Sequence, residues 1–276
     1  EIPKVTKRTF PPPLDAFILD DIVSASECEA LIKFAESAGY SFWNAAVSTA
    51  TFRNSDTVEI HSAAVADELW RRCAHLVVPM VVVEQEHPLW EPGLEGTWKA
   101  CGVNDHLLFN KYEPGGHFSP HTDGASIVDM NRRSLYSMLV YLNRCPDGGG
   151  TALFSPPEGT SMGKFVVDPA LGVYRWPEEW QTGVAPVEPG TALVFRQDTS
   201  HEGVPVGPGN LKIIIRTDVM YERVPPVFID DVGKQAYDLH REAQSAEGEG
   251  DHMTAMKLYR HCRRLCPEYA DFVGMA

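Results

Sequence analysis

The chain has 276 residues, 43% of them hydrophobic and 22% charged, with a formal net charge of −14. That balance excludes a mostly disordered chain, a collagen and a coiled coil, and the length suits one large domain with at most a small appendage. The acidic charge repels phosphate backbones and counts against nucleic acid as a partner, and no apolar run is long enough to predict a membrane span.

Residues 1–13 are basic and end in Pro11-Pro12-Pro13, an extended lead-in. Phe17-Ile18-Leu19 predicts a short strand. Ser24 or Ser26 is placed to cap a helix with Glu27 and Glu29 in its first turn and Leu31, Ile32, Phe34 and Ala35 on its apolar face. A second helix is predicted over roughly Ser62–Val78, with Val65, Leu69, Trp70, Cys73 and Leu76 as its apolar positions. Between the helices, Phe42–Glu59 is polar and β-rich and contains Arg53-Asn54-Ser55.

From residue 105 the period shortens. Leu107–Tyr112, Ser134–Leu142, Gly150–Phe154, Thr191–Phe195 and Leu211–Tyr221 are short runs rich in apolar and β-branched residues, separated by Gly/Pro turns. This pattern predicts a sandwich or barrel. The long connection from Pro156 to Pro186 carries Phe165, Tyr174, Trp176 and Trp180. Its length and aromatic content predict a lid over a site, with Trp176 or Trp180 as a substrate contact.

Residues 232–273 return to helical spacing and resemble one tetratricopeptide unit. A lone unit cannot build a solenoid, so a packed C-terminal helical pair is expected, with a protein-partner surface over 229–276 as the alternative. The six cysteines show no CxxC spacing, and Cys262 and Cys266, one helical turn apart, read as packing residues. Such usage leans toward a reducing compartment, cytoplasmic or nuclear, although the chain starts at Glu1 and a removed leader would not be visible.

The chemistry is concentrated around Tyr112–Asp123. His121 and Asp123 are two residues apart, so an extended segment projects both to one face. His201 follows just past the run Thr191–Phe195. Two imidazoles and one carboxylate leave three positions open on a metal, the ligand set of non-haem Fe(II) oxygenases. In a chain with ten His, an HxD match arises easily by accident, and a hydrogen-bonded loop histidine is the bland reading. What distinguishes this one is the order of strands and turns around it.

That order resembles the prolyl 4-hydroxylase-like branch of the 2-oxoglutarate/Fe(II) dioxygenases. The matching text is YEPGGHFSPHTDG, RSLYSMLVYLN, DGGGTALF, VEPGTALVF, SHEGVPVGPG and KIIIRTDVMY, with FILDDIVSASECEALIKFAE and FRNSD before it. The resemblance covers about residues 14–223. It implies an α+β chain with a mainly β core, a double-stranded β-helix (jelly roll) over about 105–223, and N-terminal supporting helices. The expected organisation is a dioxygenase domain over 1–228 and a helical appendage over 229–276.

The resemblance further implies that His121, Asp123 and His201 hold Fe(II), with 2-oxoglutarate and O2 as cosubstrates and ascorbate as an accessory. The family holds the distal carboxylate of 2-oxoglutarate with one basic residue on the strand after the second His. Lys212 and Arg216 both qualify, lying four apart on one face of that strand. Pairing across the Gly207–Asn210 turn would set Arg216 opposite His201 and Lys212 further from the metal, which favours Lys212. A spacing about one residue longer than the family's keeps Arg216 open, with Asp218 as its structural partner. Tyr112 is implied near the cosubstrate and reads equally as a core aromatic. His117 reads as a surface loop histidine. Arg53 faces the substrate opening by resemblance, or forms a surface salt bridge. The other seven His read as incidental.

The implied activity is hydroxylation of a C–H bond, on a protein side chain such as proline. The alternatives are a free amino acid or other small molecule as substrate, and a non-catalytic jelly-roll module with a partner-binding helical tail. Nucleic-acid demethylation is disfavoured by the charge, and a metalloenzyme without cosubstrate by Lys212 and Arg216.

Overall fold

The computed structural model describes residues 4–43, 50–157, 165–168 and 172–275. Eight strands carry the centre: β1 (His106–Tyr112), β2 (His117–His121), β3 (Arg132–Tyr141), β4 (Thr151–Phe154), β5 (Gln181–Ala185), β6 (Ala192–Arg196), β7 (Ser200–Gly203) and β8 (Lys212–Val224). One sheet runs β6-β3-β8-β1 and the other β5-β4-β7-β2. Apart from the β4–β5 hairpin, each successive strand changes sheet. That winding is the jelly roll, and it removes most open edges by closing the chain on itself.

The larger sheet continues beyond β6 through Ala16–Asp20 and Thr6–Thr9, and beyond β1 through Asp56–His61 and Ser41–Phe42. Arg53–Asn54 extends the smaller sheet beyond β2. Thr6–Thr9 lacks an apolar pattern because all four residues are exposed, so its strand character comes only from pairing with Ala16–Asp20. β2, with the sequence His-Phe-Ser-Pro-His, is likewise a strand that its residue types do not announce.

Residues 207–210 do not form a hairpin. β7 lies between β4 and β2, whereas β8 lies between β3 and β1 in the other sheet. Arg216 therefore pairs with Leu108, and Lys212 with Tyr112, instead of Arg216 facing His201 across a turn. The two layers of a sandwich lie only about 10 Å apart, so a short Gly/Pro segment suffices to carry the chain between them.

Strand alternation divides the two faces. Tyr112, Leu139, Tyr141, Leu153, Phe195 and Ile214 belong to one buried apolar cluster. Val140 and Ile215, one residue out of phase with Leu139 and Ile214, instead line a groove with α1 (Ala25–Ala38) and α2 (Ala63–Cys73). Ser24 and Glu27 close a capping box at the start of α1. The Glu27 carboxylate also binds Arg72 of α2 at 2.6 Å, and Arg72 holds its pKa down at about 2. α2 ends at Cys73, short of the expected Val78, and Leu76 and Val77 bond back to the Cys73 carbonyl.

The chain divides into two compact units. The first comprises Glu1–Val77, Gly102–Ala125 and Ser134–Met220, and holds the paired sheets. The second comprises Val78–Cys101, Ser126–Arg133 and Tyr221–Ala276, so the C-terminal helices share a unit with residues well before position 228. In that second unit Met80–Val83 pairs with Gly96–Val103, a hairpin with no counterpart in the predicted elements. Its helices are α3 (Asp231–Gly248), α4 (His252–Leu265) and α5 (Pro267–Phe272), the last opening on a proline. Ala236, Cys262, Cys266 and Tyr269 form their shared core, which bears out the packing role of both cysteines.

The expected lid is elsewhere. Residues 158–164 and 169–171 of that connection lie outside the described residues. Trp176 packs with Ala152 and Phe154, and Phe165 and Trp180 lie against the same cluster. Ala152 and Phe154 alternate with the inward Leu153, so this cluster covers the outer face of the smaller sheet and not its interior. The Trp176 indole also donates to Ser200 Oγ at 2.8 Å. Trp176→Ala should therefore act on stability, costing about 3–5 kcal/mol in urea unfolding at unchanged m-value. A loss below about 1 kcal/mol would contradict this buried placement.

Candidate metal centre and cosubstrate cavity

β2 and β7 are neighbours, and His121 is paired with His201 across them. Their ring centroids lie 4.2 Å apart. The next pair is Gly203 with Phe118, so β2 carries one residue more than β7 over this stretch. Phe118 and His121 are three residues apart and would face opposite sides of a regular strand. The bulge turns both inward, onto the same cavity.

Asp123 follows as the chain leaves β2, its amide bonded to the Gln197 carbonyl at 3.1 Å. Its Oδ1 lies 3.8 Å from His121 Nε2, and its Oδ2 lies 3.9 Å from His201 Nε2. One donor atom from each of the three residues falls within 4.8 Å of the others. His121 Nδ1 sits 2.8 Å from the Ser119 carbonyl, and His201 Nδ1 sits 3.0 Å from the Thr199 carbonyl. A carbonyl only accepts, so each Nδ1 carries the proton and each Nε2 keeps a free lone pair directed at the same point. Ser137 Oγ donates to Asp123 Oδ2 at 2.6 Å and fixes the carboxylate.

The electrostatics suit a cation. Burial lowers the His121 pKa, with His201 adding to the effect, and burial lowers His201 as well. Both imidazoles are thus neutral ligands. Burial opposes ionisation of Asp123, but its neighbours, the Arg216 guanidinium and the Ser137 hydroxyl among them, outweigh it and hold the carboxyl below its ordinary value. Two nitrogens and one oxygen, buried and held from behind, fit a divalent first-row metal with room for further ligands.

A cavity of about 290 Å³ opens beside the triad. Leu108, Asn110 and Tyr112 of β1 face it, as do Lys212, Ile214 and Arg216 of β8, each set spaced by two. Lys212 is 2% exposed, with Nζ 5.1 Å from the Tyr112 ring centroid and 5.9 Å from that of Tyr141. No carboxylate among the described residues forms an ion pair with it. Burial accordingly lowers its pKa to about 8. Gly203 leaves the approach open; a Cβ there would stand 3.9 Å from Lys212 Nζ.

Arg216 differs. Its Nη2 lies 3.2 Å from Asp218 Oδ1 and 3.9 Å from Asp123 Oδ2. It also donates to the Gly124 carbonyl at 3.3 Å. Arg216 is therefore at the metal end and already paired, with Asp218 as the partner expected from the sequence. Tyr112 is both a core residue and a cavity wall, and burial raises its hydroxyl pKa against the pull of Arg53 and Ser55.

Two sequence expectations change. His117 is buried on β2, not on a surface loop, with its ring nitrogens 3.1 Å from the Gly115 and Thr51 carbonyls. Arg53 forms no surface salt bridge. It is 4% exposed, lines the cavity, bonds to Asn110 and Ser55, and lies between the rings of Trp43 at 4.2 Å and Phe118 at 4.6 Å. Trp43 and Asn110 also line the cavity, and the FRNSD motif with its Arg53 was the sequence sign of that wall.

Residues 107–217 match the family model described as the 2OG-Fe(II) oxygenase superfamily. A search of curated proteins found no match. Among solved structures, the viral collagen prolyl hydroxylase of Paramecium Bursaria Chlorella virus-1 is 18% identical, over 75% of this chain and 96% of that one, with a TM-score of 0.42. A Pseudomonas putida prolyl-4-hydroxylase is 16% identical, over 76% and 94%, with a TM-score of 0.45. A non-heme alpha ketoglutarate dependent carbocyclase from nogalamycin biosynthesis is 13% identical, over 76% and 80%, with a TM-score of 0.46.

The isolated ammonium carries a stability cost with a definite pH dependence. Below pH 8, Lys212 is charged in both folded and unfolded chains and the burial penalty is felt in full. Between about 8 and the ordinary 10.5, the unfolded chain holds a proton the folded one has lost, so the penalty fades as pH rises. Lys212→Met should stabilise the ligand-free protein by about 3 kcal/mol at neutral pH, and by less in more alkaline solution. Urea unfolding of both proteins at two pH values reads the difference, and destabilisation at neutral pH would contradict it.

Proposed function

We propose that this chain, whose residues 107–217 match the 2OG-Fe(II) oxygenase superfamily, hydroxylates a C–H bond of a protein side chain, with proline as the first candidate. In this reading His121, Asp123 and His201 hold Fe(II), and Lys212 receives the distal carboxylate of 2-oxoglutarate. The observation that carries it is a buried, acid-free ammonium sharing one cavity with three convergent metal donors.

Iron, when bound, supplies oxygen activation coupled to oxidative decarboxylation of 2-oxoglutarate to succinate and carbon dioxide. The protein's part is electrostatic and positional. Ser119 and Thr199 carbonyls orient the imidazoles, and Ser137 orients the carboxylate. Lys212 offers an incoming carboxylate the partner it lacks, and a charge-assisted bond formed out of water is far stronger than one made in it. Arg216, engaged by Asp218 and near Asp123, is reserved for shaping the metal end. Tyr112, beside Lys212, narrows the cosubstrate's space.

The choice of a protein side chain rests on the resemblance of YEPGGHFSPHTDG and the motifs after it to prolyl 4-hydroxylase-like enzymes. A small-molecule substrate on the same machinery is the second reading, favoured by the modest cavity of about 290 Å³. The deciding experiment incubates the protein with Fe(II), 2-oxoglutarate, ascorbate and proline-containing peptides. Expected are succinate release and a peptide mass gain of one oxygen atom, both abolished in His121→Ala and Asp123→Ala. Succinate release without any peptide gain would reject the protein-substrate reading; wild-type turnover in either variant would reject the metal assignment.

The cosubstrate assignment has its own test. Lys212→Ala should raise the KM for 2-oxoglutarate by about 100-fold, the equivalent of losing about 3 kcal/mol from a buried ion pair. Arg216→Ala should raise it less. The reverse ranking would move the carboxylate to Arg216.

A further inference from the structure

The second compact unit contains a cavity of about 360 Å³, which the oxygenase reading does not use. Arg133 at the start of β3 and Arg223 near the end of β8 line it, with His240 and Arg241 of α3. Arg223 is 4% exposed and stacks on Trp98, its guanidinium 4.3 Å from the ring centroid. Its Nη2 donates to the Gly93 carbonyl at 2.7 Å, and its Nη1 to the Glu95 carbonyl. Carbonyls hold the guanidinium in place but supply no net charge. Burial, with Arg133 repelling from nearby, lowers the Arg223 pKa to about 10.

The nearby acids do not cancel this charge. Glu91 pairs with Arg133 from a side chain that is 54% exposed. Asp129 is exposed and accepts the Asn131 amide at 2.7 Å. The Nε atoms of both Arg133 and Arg223 are buried with no hydrogen-bond partner among the described residues. Leaving a buried donor unmade is costly, and both residues that carry one also line this cavity. His240 bonds to the Tyr269 hydroxyl through Nδ1 at 2.8 Å, which leaves Nε2 for another partner.

We propose that this cavity is a binding site for a small tetrahedral dianion of the phosphate class. Its cations come from three elements, β3, β8 and α3, and so approach from different sides. A planar carboxylate presents two oxygens in one plane, whereas a tetrahedral oxyanion offers acceptors in each of those directions. Rigid guanidinium forks are well matched to such oxygens. Two charges on the ligand would neutralise both Arg223 and the part of Arg133 that the half-exposed Glu91 leaves unscreened.

The test is isothermal titration of the full chain with inorganic phosphate at constant ionic strength. Arg133→Gln should bind at least tenfold more weakly than wild type. Arg223 anchors the Gly93 and Glu95 carbonyls and its replacement risks the fold, so Arg133→Gln, together with Arg241→Ala, keeps the question decidable. Lys212→Ala should bind phosphate as wild type does, which separates this cavity from the one beside the triad. No binding to wild type, equal binding to Arg133→Gln, loss of binding in Lys212→Ala, or tighter binding of succinate than of phosphate would each overturn the proposal.

Discussion

The cross-strand pair His121–His201 is the contact on which the site depends. Two side chains separated by most of the core come within ring contact because β2 and β7 are hydrogen-bonded neighbours. That neighbourhood exists only when the chain changes sheet at nearly every strand. The bulge in β2 is part of the same constraint: without the extra residue, Phe118 and His121 could not both face inward. Asp123 then needs only the short step out of β2 to complete the donor set.

In both units the fold spends stability on isolated cations. Lys212 and Arg53 are buried in the first unit, and Arg223 in the second. None has a carboxylate within ion-pair distance among the described residues, and burial lowers the pKa of all three. Elsewhere the protein pairs its buried charges, as Arg72 shows with Glu27 and Glu68. Destabilised charges of this kind are characteristic of functional sites and not of structural cores.

Much of this was legible from residue types. The runs Leu107–Tyr112, Ser134–Leu142 and Leu211–Tyr221 became β1, β3 and β8 within a few residues, because apolar and β-branched residues between Gly/Pro turns have few other uses. Ser24 and Glu27 announced the first helix cap. The elements that were not legible lacked local signals: Thr6–Thr9 is polar and exposed, and β2 reads His-Phe-Ser-Pro-His with no run of β-branched residues. Both are strands because a partner strand satisfies their backbones. The supposed hairpin after His201 and the supposed substrate contact of Trp176 or Trp180 failed for one reason, since sequence distance does not reveal which sheet, or which face of it, a segment joins. His117 and Arg53 followed the same logic, their burial being decided by neighbours distant in the chain.

By itself the sequence determined the residue types able to bind a metal and a dicarboxylate, their order, and the even spacing, two residues for His121 and Asp123 and four for Lys212 and Arg216, that sets each pair on a common face. Spacing is a property of the backbone and needs no tertiary information. Only the tertiary structure distinguishes the surroundings of Lys212 and Arg216, leaving one ammonium without an acid and giving the other cation Asp218 and Asp123 as neighbours. It also decided that Trp176 lies behind the smaller sheet and that Arg53 forms the cavity wall. Charge compensation and facing depend on which strands pair, and strand pairing is the nonlocal part of the fold.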